Sequence, residues 1–332
     1  MKDVAEHCGV AESTVSHVLN HTKFVTPATR DRVERAVREM NFHRDSHARR
    51  LARRHSNFLG LIISDIENPF YPGVIKSFET AALENGYEVL LCTTHYDPAR
   101  TEQAFRKMIE NKSPGVAVLT SNADPAIPKY LAEYGVASVF LESGGAGHLK
   151  ADIRLDFPNG VGAAVNYLHR LGHREFALIA GPQNRSSHLS YRNAVEAALR
   201  VFGLKPQLIE STNDVEGGER AVQVLFSAAS LPTAILCSND LTAMGAMRIL
   251  AKAGLRVPDD ISVVGADDIP FASLMQPQLT TVKMPRARLG RLALEMLLEI
   301  MGDEDGKARG AVLETELVIR ESTGMAPVKK PG

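Results

Sequence analysis

Apolar residues first recur at helical spacing in two short runs within "VAEHCGVAESTVSHVLN", Val4 to Asn20. Val4, Ala5 and Cys8 share one helical face, and Val15, Val18 and Leu19 share another within Glu12 to Leu19. Gly9 lies between them and tolerates the positive φ of a tight turn. Ala5, Gly9, Val15 and Val18 have the spacing of a helix-turn-helix: a small residue where the helices touch, a turn glycine and two apolar anchors. An ordinary helical hairpin carries the same short pattern, so spacing alone leaves both readings open. "TPATRDRVERAVREMNF" predicts a third helix with Thr26 as N-cap, Pro27 in the first turn, and Val33, Ala36, Val37 and Met40 as its buried stripe. Three short helices within about 42 residues make a small core of marginal stability.

From Phe58 the pattern changes to short apolar runs alternating with helical stretches. The runs "FLGLIIS", "EVLLCTT", "GVAVLT", "ASVFLE", "FALIAG", "QLIEST", "AILCSN" and "SVVGAD" predict strands. "PGVIKSFETAALENG" and "PNGVGAAVNYLHRLG" predict helices between them. Alternating β and α elements imply parallel sheets covered on both faces, and strands in two series imply two doubly wound lobes. "ETELVIREST" predicts one terminal strand. The following "GMAPVKKPG" lacks leucine heptads, which favours a dimer over a tail-mediated tetramer.

Composition narrows the class. With 44% hydrophobic and 23% charged residues the chain reads as soluble and globular, without a membrane-length apolar run or a signal-peptide pattern after Met1. Cys8, Cys92 and Cys237 form no CxxC pair, so neither a disulfide framework nor a metal site is expected, and the setting is a reducing cytoplasm. The net charge of −1 conceals an asymmetry. Residues 1–55 hold 11 Lys and Arg against 7 Asp and Glu, and six of the 11 histidines. A basic head on an acidic body suits contact with phosphate, although a solvated face explains so small an excess as well. In "RDSHARRLARRHS", five arginines surround Ala48, Leu51 and Ala52. This is either a flexible basic linker or a short helix whose arginines meet phosphates while one leucine wedges between base steps.

The loops after the predicted strands carry the candidate chemistry. "SDIENPFY" offers Asp65, Asn68, Phe70 and Tyr71; "LESGG" offers Glu142; "SND" offers Asn239 and Asp240; "GADD" offers Asp267. Aromatic rings with carboxylates and amides suit a neutral polyol such as a sugar. Ordinary loop roles compete: Asn68-Pro69 as a turn and Asp240 as the cap of the following helix. Asp240 is read as that cap and Asp267 as a ligand contact. No enzyme signature stands beside them. "GVGAAV" departs from a dinucleotide fingerprint, "SGGAG" lacks the lysine of a P-loop, and neither GxSxG nor HExxH occurs, so no catalysis and no cofactor are expected.

"MKDVAEHCGVAESTVSHVLN", "FVTPATRDRV" and "ARRLARRHSNFLGLIISDIENPFY" together resemble the lactose-repressor (LacI/GalR) family of bacterial transcription regulators. The resemblance continues in order through "LGHREFALIAGP", "SNDLTAMGAMRIL", "VPDDISVVGADDIPFAS" and "QLTTVKMPRARLG", and the "TVSHV" stretch is similar to ribose and purine repressors. It implies an α/β chain with a three-helix DNA-binding head at 1–43, a hinge at 44–56, and a periplasmic-binding-protein-type core at 57–332 for effector binding and dimerisation. Lobe 1 of that core takes about 57–156 and 286–315, and lobe 2 about 157–284 and 316–326. The implied partners are a pseudo-palindromic double-stranded operator, a second copy of the chain and a small effector, with a sugar expected. Control by a protein partner or by a purine-type co-repressor is the alternative.

Carried over by residue, DNA contacts fall on Glu12, Ser13, Thr14, Ser16, His17 and Asn20, with Ala48 and Leu51 in the minor groove. Effector contacts fall on Phe70, Tyr71, Glu142, Asn239 and Asp267. Where relatives place an effector-gripping arginine this chain has Tyr191, with Arg192 one step later: either Arg192 takes the role or Tyr191 stacks instead, and Arg192 is the expectation. Ala11 stands where the family has a capping serine, and Arg44-Asp45 where its hinge starts with proline.

Overall fold

Gly9 closes the first helix in the left-handed region, at φ 64° and ψ 39°, where only glycine avoids a Cβ penalty. The computed structural model describes residues 1–20, 23–41, 56–120, 126–228 and 230–328, and the chain divides into two units, Met1–Ser56 and Asn57–Gly332. In the first unit α1 (Lys2–Cys8), α2 (Glu12–Asn20) and α3 (Pro27–Glu39) enclose Val4, Ala5, Cys8, Val15, Val18, Val33 and Ala36. Met40, expected in the stripe, is exposed beyond the end of α3. Thr26 precedes α3 as expected, but its hydroxyl pairs with that of Thr29 at 2.9 Å and caps no backbone N–H. Ala48, Leu51 and the whole 44–55 stretch lie outside the described residues.

The second unit holds two six-stranded sheets. The first contains β1 (Phe58–Ile63), β2 (Glu88–Thr93), β3 (Gly115–Leu119), β4 (Ala137–Leu141), β5 (Lys150–Asp156) and β11 (Gly310–Glu314), in the order β11-β5-β4-β3-β1-β2. Every pair in it is parallel. The second contains β6 (Phe176–Ala180), β7 (Pro206–Glu210), β8 (Ala234–Cys237), β9 (Ser262–Asp267), β10 (Thr280–Lys283) and β12 (Glu316–Val318), in the order β12-β10-β9-β8-β6-β7. Only the β10–β12 pair is antiparallel. The central strands β3, β4, β6, β8 and β9 are buried along their whole length, as parallel strands covered on both faces must be.

Helices α4 (Tyr71–Glu84), α5 (Pro98–Glu110), α6 (Ile127–Glu133) and α11 (Arg286–Gly302) cover the first sheet. The second is covered by α7 (Phe157–Arg170), α8 (Ser186–Arg200), α9 (Val215–Phe226) and α10 (Asp240–Lys252). Gly218 and Gly245 let α9 and α10 approach closely, since a Cβ on either would run into the other helix's backbone.

The chain crosses between the sheets from β5 to α7, from β10 to α11 and from β11 to β12. Thr315 pins two of these crossings together. Its Oγ1 donates to the Asp156 carbonyl at 2.7 Å and accepts from the Gly160 N–H at 3.1 Å, while Asn159 Nδ2 donates to its carbonyl at 2.9 Å. "ETELVIREST" is therefore not one strand, as expected from its pattern. It contributes the end of β11 to one sheet and β12 to the other, divided at buried Thr315. The "GVGAAV" stretch lies inside α7 and forms no phosphate loop.

Candidate functional sites

The loops at the carboxyl ends of strands in both sheets converge on one cavity of about 70 Å³. From the first sheet come Asn68, Phe70 and Tyr71 after β1 and Tyr96 after β2. From the second come Ser187, His188 and Tyr191 on α8, Asn213 after β7, Ser238 and Asn239 after β8, and Asp267 ending β9. Leu141, Leu155, Phe157 and Met284 complete the lining near the crossings. A single water occupies about 10–15 Å³ by this measure, so the cavity has room for several.

Local sequence explains how each side chain is presented. Asn68 Oδ1 accepts from the Phe70 N–H at 2.9 Å and its carbonyl from the Tyr71 N–H at 3.0 Å, making the expected turn at Asn68-Pro69. That turn delivers Phe70 and Tyr71, packed edge to face with centroids 5.3 Å apart. Asn239, expected only as a ligand contact, also caps α10: its Oδ1 accepts from the Thr242 N–H at 2.8 Å. Asp240 is not the cap. It is fully buried, with Oδ1 accepting from Thr281 Oγ1 at 2.6 Å and Oδ2 from the Ile269 N–H at 2.8 Å. Burial pushes its carboxyl up to about 7 against those two hydrogen bonds.

Asp267 is 7% exposed at φ 106°, a left-handed backbone that a non-glycine residue holds only when its surroundings enforce it. Burial first, then the neighbouring Asp240, raise its carboxyl well above the usual carboxylate range, with Arg286 acting against them. Asp268 beside it is anchored by Arg320 Nη2 at 2.6 Å, and its carbonyl accepts from Arg286 Nη2 at 2.6 Å.

A polar chain runs along the second-sheet wall. Ser238 Oγ donates to Asn213 Oδ1 at 2.6 Å, Asn239 Nδ2 donates to the Asn213 carbonyl at 2.9 Å, and Asn213 Nδ2 faces His188 Nε2 at 3.3 Å. Burial, reinforced by Arg185, pushes the His188 imidazole down to about 4, so it is neutral at ordinary pH.

Two expected contacts fall elsewhere. Arg192 is absent from the lining: its Nε donates to Glu196 Oε1 at 2.8 Å and its Nη1 to Gln183 Oε1 at 3.1 Å. Tyr191 faces the cavity instead, 2% exposed and edge-on to Phe157 with centroids 5.6 Å apart. One residue turns a helical side chain by about 100°, and the buried face of α8 takes the tyrosine. Glu142 lines a second, more open space of about 620 Å³ with Arg154, Asp156, Ser190 and Asn193. There it accepts from the Leu155 N–H at 2.6 Å and from Ser190 Oγ at 3.0 Å, and burial raises its carboxyl. Conversely, Tyr96, His188 and Asn213 were missed. Each follows a strand end as closely as the residues that were found, so the strand-end rule applied to every loop selects them.

In the first unit, α2 turns Val15 and Val18 inward, leaves Glu12 and Ser13 exposed, and holds Thr14, Ser16 and His17 half-buried. Asn20 is its last residue. The second to fourth turns of α3 carry Arg30, Arg32, Arg35 and Arg38, of which the last three are exposed. No helix among the described residues is long and apolar enough to cross a membrane, and no group of His, Cys, Asp and Glu among them could hold a metal ion.

Residues 1–45 match the family model described as bacterial regulatory proteins, lacI family, and residues 165–323 match a periplasmic binding protein-like domain. The ribose operon repressor of Haemophilus influenzae is 34% identical, covering 97% of this chain and 98% of that protein. The transcriptional repressor PurR of Photobacterium profundum is 31% identical, over 97% of this chain and 98% of its own. Among solved structures, the Lac repressor dimer bound to operator and the anti-inducer ONPF superposes with a TM-score of 0.87 at 27% identity, covering 97% of this chain and 98% of that one.

Proposed function

Since the chain belongs to the lacI family of bacterial regulatory proteins, we propose that it is a homodimeric transcriptional repressor of the cytoplasm whose operator affinity is set by a small ligand in the cleft between its lobes. Residues 1–43 read DNA, 44–56 connect, and 57–332 bind the ligand and the second copy. The observation that carries this is the strand-end cavity, lined from both sheets, in a chain that also holds an N-terminal helix-turn-helix unit.

In the head, α2 enters the major groove. His17 bonds a purine edge, Ser13 and Thr14 donate or accept, Glu12 accepts from a cytosine amine, and Ser16 and Asn20 meet phosphate. Ala48 and Leu51 act in the minor groove. Two heads on one dimer place half-sites on a common DNA face. In the cleft, Phe70, Tyr71, Tyr96 and Tyr191 stack on a sugar ring, and Asn213, Asn239 and Asp267 bond its hydroxyls. The ligand leaves unchanged, because its role is to favour one arrangement of the lobes, and ligand and operator affinities are thereby reciprocally coupled.

The test has two steps. DNA selected from a random pool by the full chain is sequenced, and affinity for the selected site is titrated against sugars and purine bases. A two-fold-symmetric site whose affinity changes with a sugar is expected. A site without symmetry, or one indifferent to every compound that stabilises the protein, overturns the proposal.

A further inference from the structure

The cleft's electrostatics narrow the ligand further than its shape does. Five aromatic rings line it, from Phe70, Tyr71, Tyr96, Phe157 and Tyr191, around the Asp267 carboxylate. No lysine or arginine belongs to that lining among the described residues. The two nearby guanidinium groups are engaged with the protein itself. Arg185 lies over the Tyr96 ring, 3.4 Å from its centroid, and Arg286 donates to the carbonyls of Asp268 at 2.6 Å and Pro69 at 3.4 Å.

Asp267 is more than nine-tenths buried, aimed into the cavity, and has a second buried carboxylate, Asp240, behind it. The Tyr191 hydroxyl is likewise buried in the lining without a hydrogen-bond partner. An anionic ligand would meet two buried carboxyl groups and, among the described residues, no lysine or arginine of the lining. A neutral hydroxyl can donate to Asp267 but does not compensate the charge of its ionised form. A protonated amine does both, and aromatic faces attract it further.

We propose that the cleft selects a small polyhydroxylated amine in its protonated form, of the amino-sugar class, with Asp267 as counter-ion and the aromatic rings around the ammonium group. This rests on the cleft being the ligand site of the repressor proposed above. Tyr191 is a specificity determinant in it, because an arginine turned into the same cavity would repel the ammonium group.

The experiment is calorimetric titration of the full chain with matched sets at one pH and ionic strength. The sets comprise glucose, galactose and mannose, their 2-amino-2-deoxy forms, the N-acetyl forms and the 6-phosphates. At least one amino sugar should bind about tenfold or more tightly than its parent and its N-acetyl form. Asp267→Asn, tolerated at positive φ, should remove most of that ratio, lowering amino-sugar affinity far more than parent affinity. Tyr96→Leu should reduce the ratio as well, and serves if Asp267→Asn fails to fold. A parent sugar or a phosphate binding as tightly as the amine overturns the inference while leaving the cleft as a sugar site. Binding of none of the set removes the polyol site itself, and the inference with it.

Discussion

Asp240 accepts two hydrogen bonds in a site from which water is excluded, and its carboxyl is raised to about 7 by burial. A carboxyl whose folded value lies above its unfolded one makes the folded state the better proton binder between the two. Stability from this group is therefore present at low pH and is lost as pH rises from about 4 through 7. Asp240→Asn keeps an acceptor for the Ile269 N–H and gives a donor to Thr281 Oγ1, without the buried charge. It should raise the melting temperature by several degrees at pH 8 and by less at pH 5, read by calorimetry of the full chain. A loss of stability at pH 8 would show that the ionised carboxylate is itself a net stabiliser. Residue chemistry of this kind was only partly legible. Phe70, Tyr71, Asn239 and Asp267 reach the cavity because strand-end loops are fixed by topology. The sequence favoured Arg192, whereas Tyr191 lines the cavity, because the choice depends on which face of α8 packs against Phe157.

At the scale of elements, the two ends of the turn between α1 and α2 can be tested in opposite directions. Ala11 is exposed, and its carbonyl accepts from the Thr14 and Val15 N–H groups at 2.9 and 3.2 Å, but its methyl can accept from no first-turn N–H. Ala11→Ser supplies that acceptor and should stabilise the head by about 1 kcal/mol. Gly9→Ala, at φ 64° with open space around the added Cβ, should cost about 1–2 kcal/mol through the backbone alone. Hydrogen exchange at the Val15 and Val18 amides should slow about fivefold in the first variant and quicken in the second. Equal exchange in all three proteins would show that the turn does not limit the head's opening.

The eight runs were legible as strands from their apolar content, which is continuous where both faces are covered, as in β3, β4, β6, β8 and β9. Of the four remaining strands only β12 fell within a predicted one, the single terminal strand of "ETELVIREST". β5, "KADIRLD", alternates polar and apolar residues strictly and so offers no continuous apolar run of the kind that marked the other strands. β10 is four residues long, and β11 and β12 form sheet edges whose separation at Thr315 depends on hydrogen bonds to Asp156 and Gly160 distant in sequence.

At the scale of the whole second unit, side-chain contacts across the cleft join the lobes beyond the three crossings. Arg185, preceding α8, stacks on Tyr96, which follows β2; Ser190 on α8 donates to Glu142, which follows β4. The two lie by different spaces, the cavity and the more open groove, and Leu155 and Phe157 line both. Both contacts tie the lobes together in the arrangement described here. A cation–π contact of this depth stabilises by about 0.5–2 kcal/mol. Arg185→Ala should therefore weaken ligand affinity about 2- to 30-fold, chiefly through faster dissociation, without lowering the head's own stability. Because coupling is reciprocal, the factor by which ligand changes operator affinity must equal the factor by which operator changes ligand affinity, in the variant as in the parent. Stopped-flow dissociation of ligand reads the rate, and equilibrium titrations of ligand with and without operator, and of operator with and without ligand, read the two factors. An unchanged dissociation rate would mean that the lobes close on the ligand without Arg185, leaving Glu142–Ser190 and the crossings to hold them together.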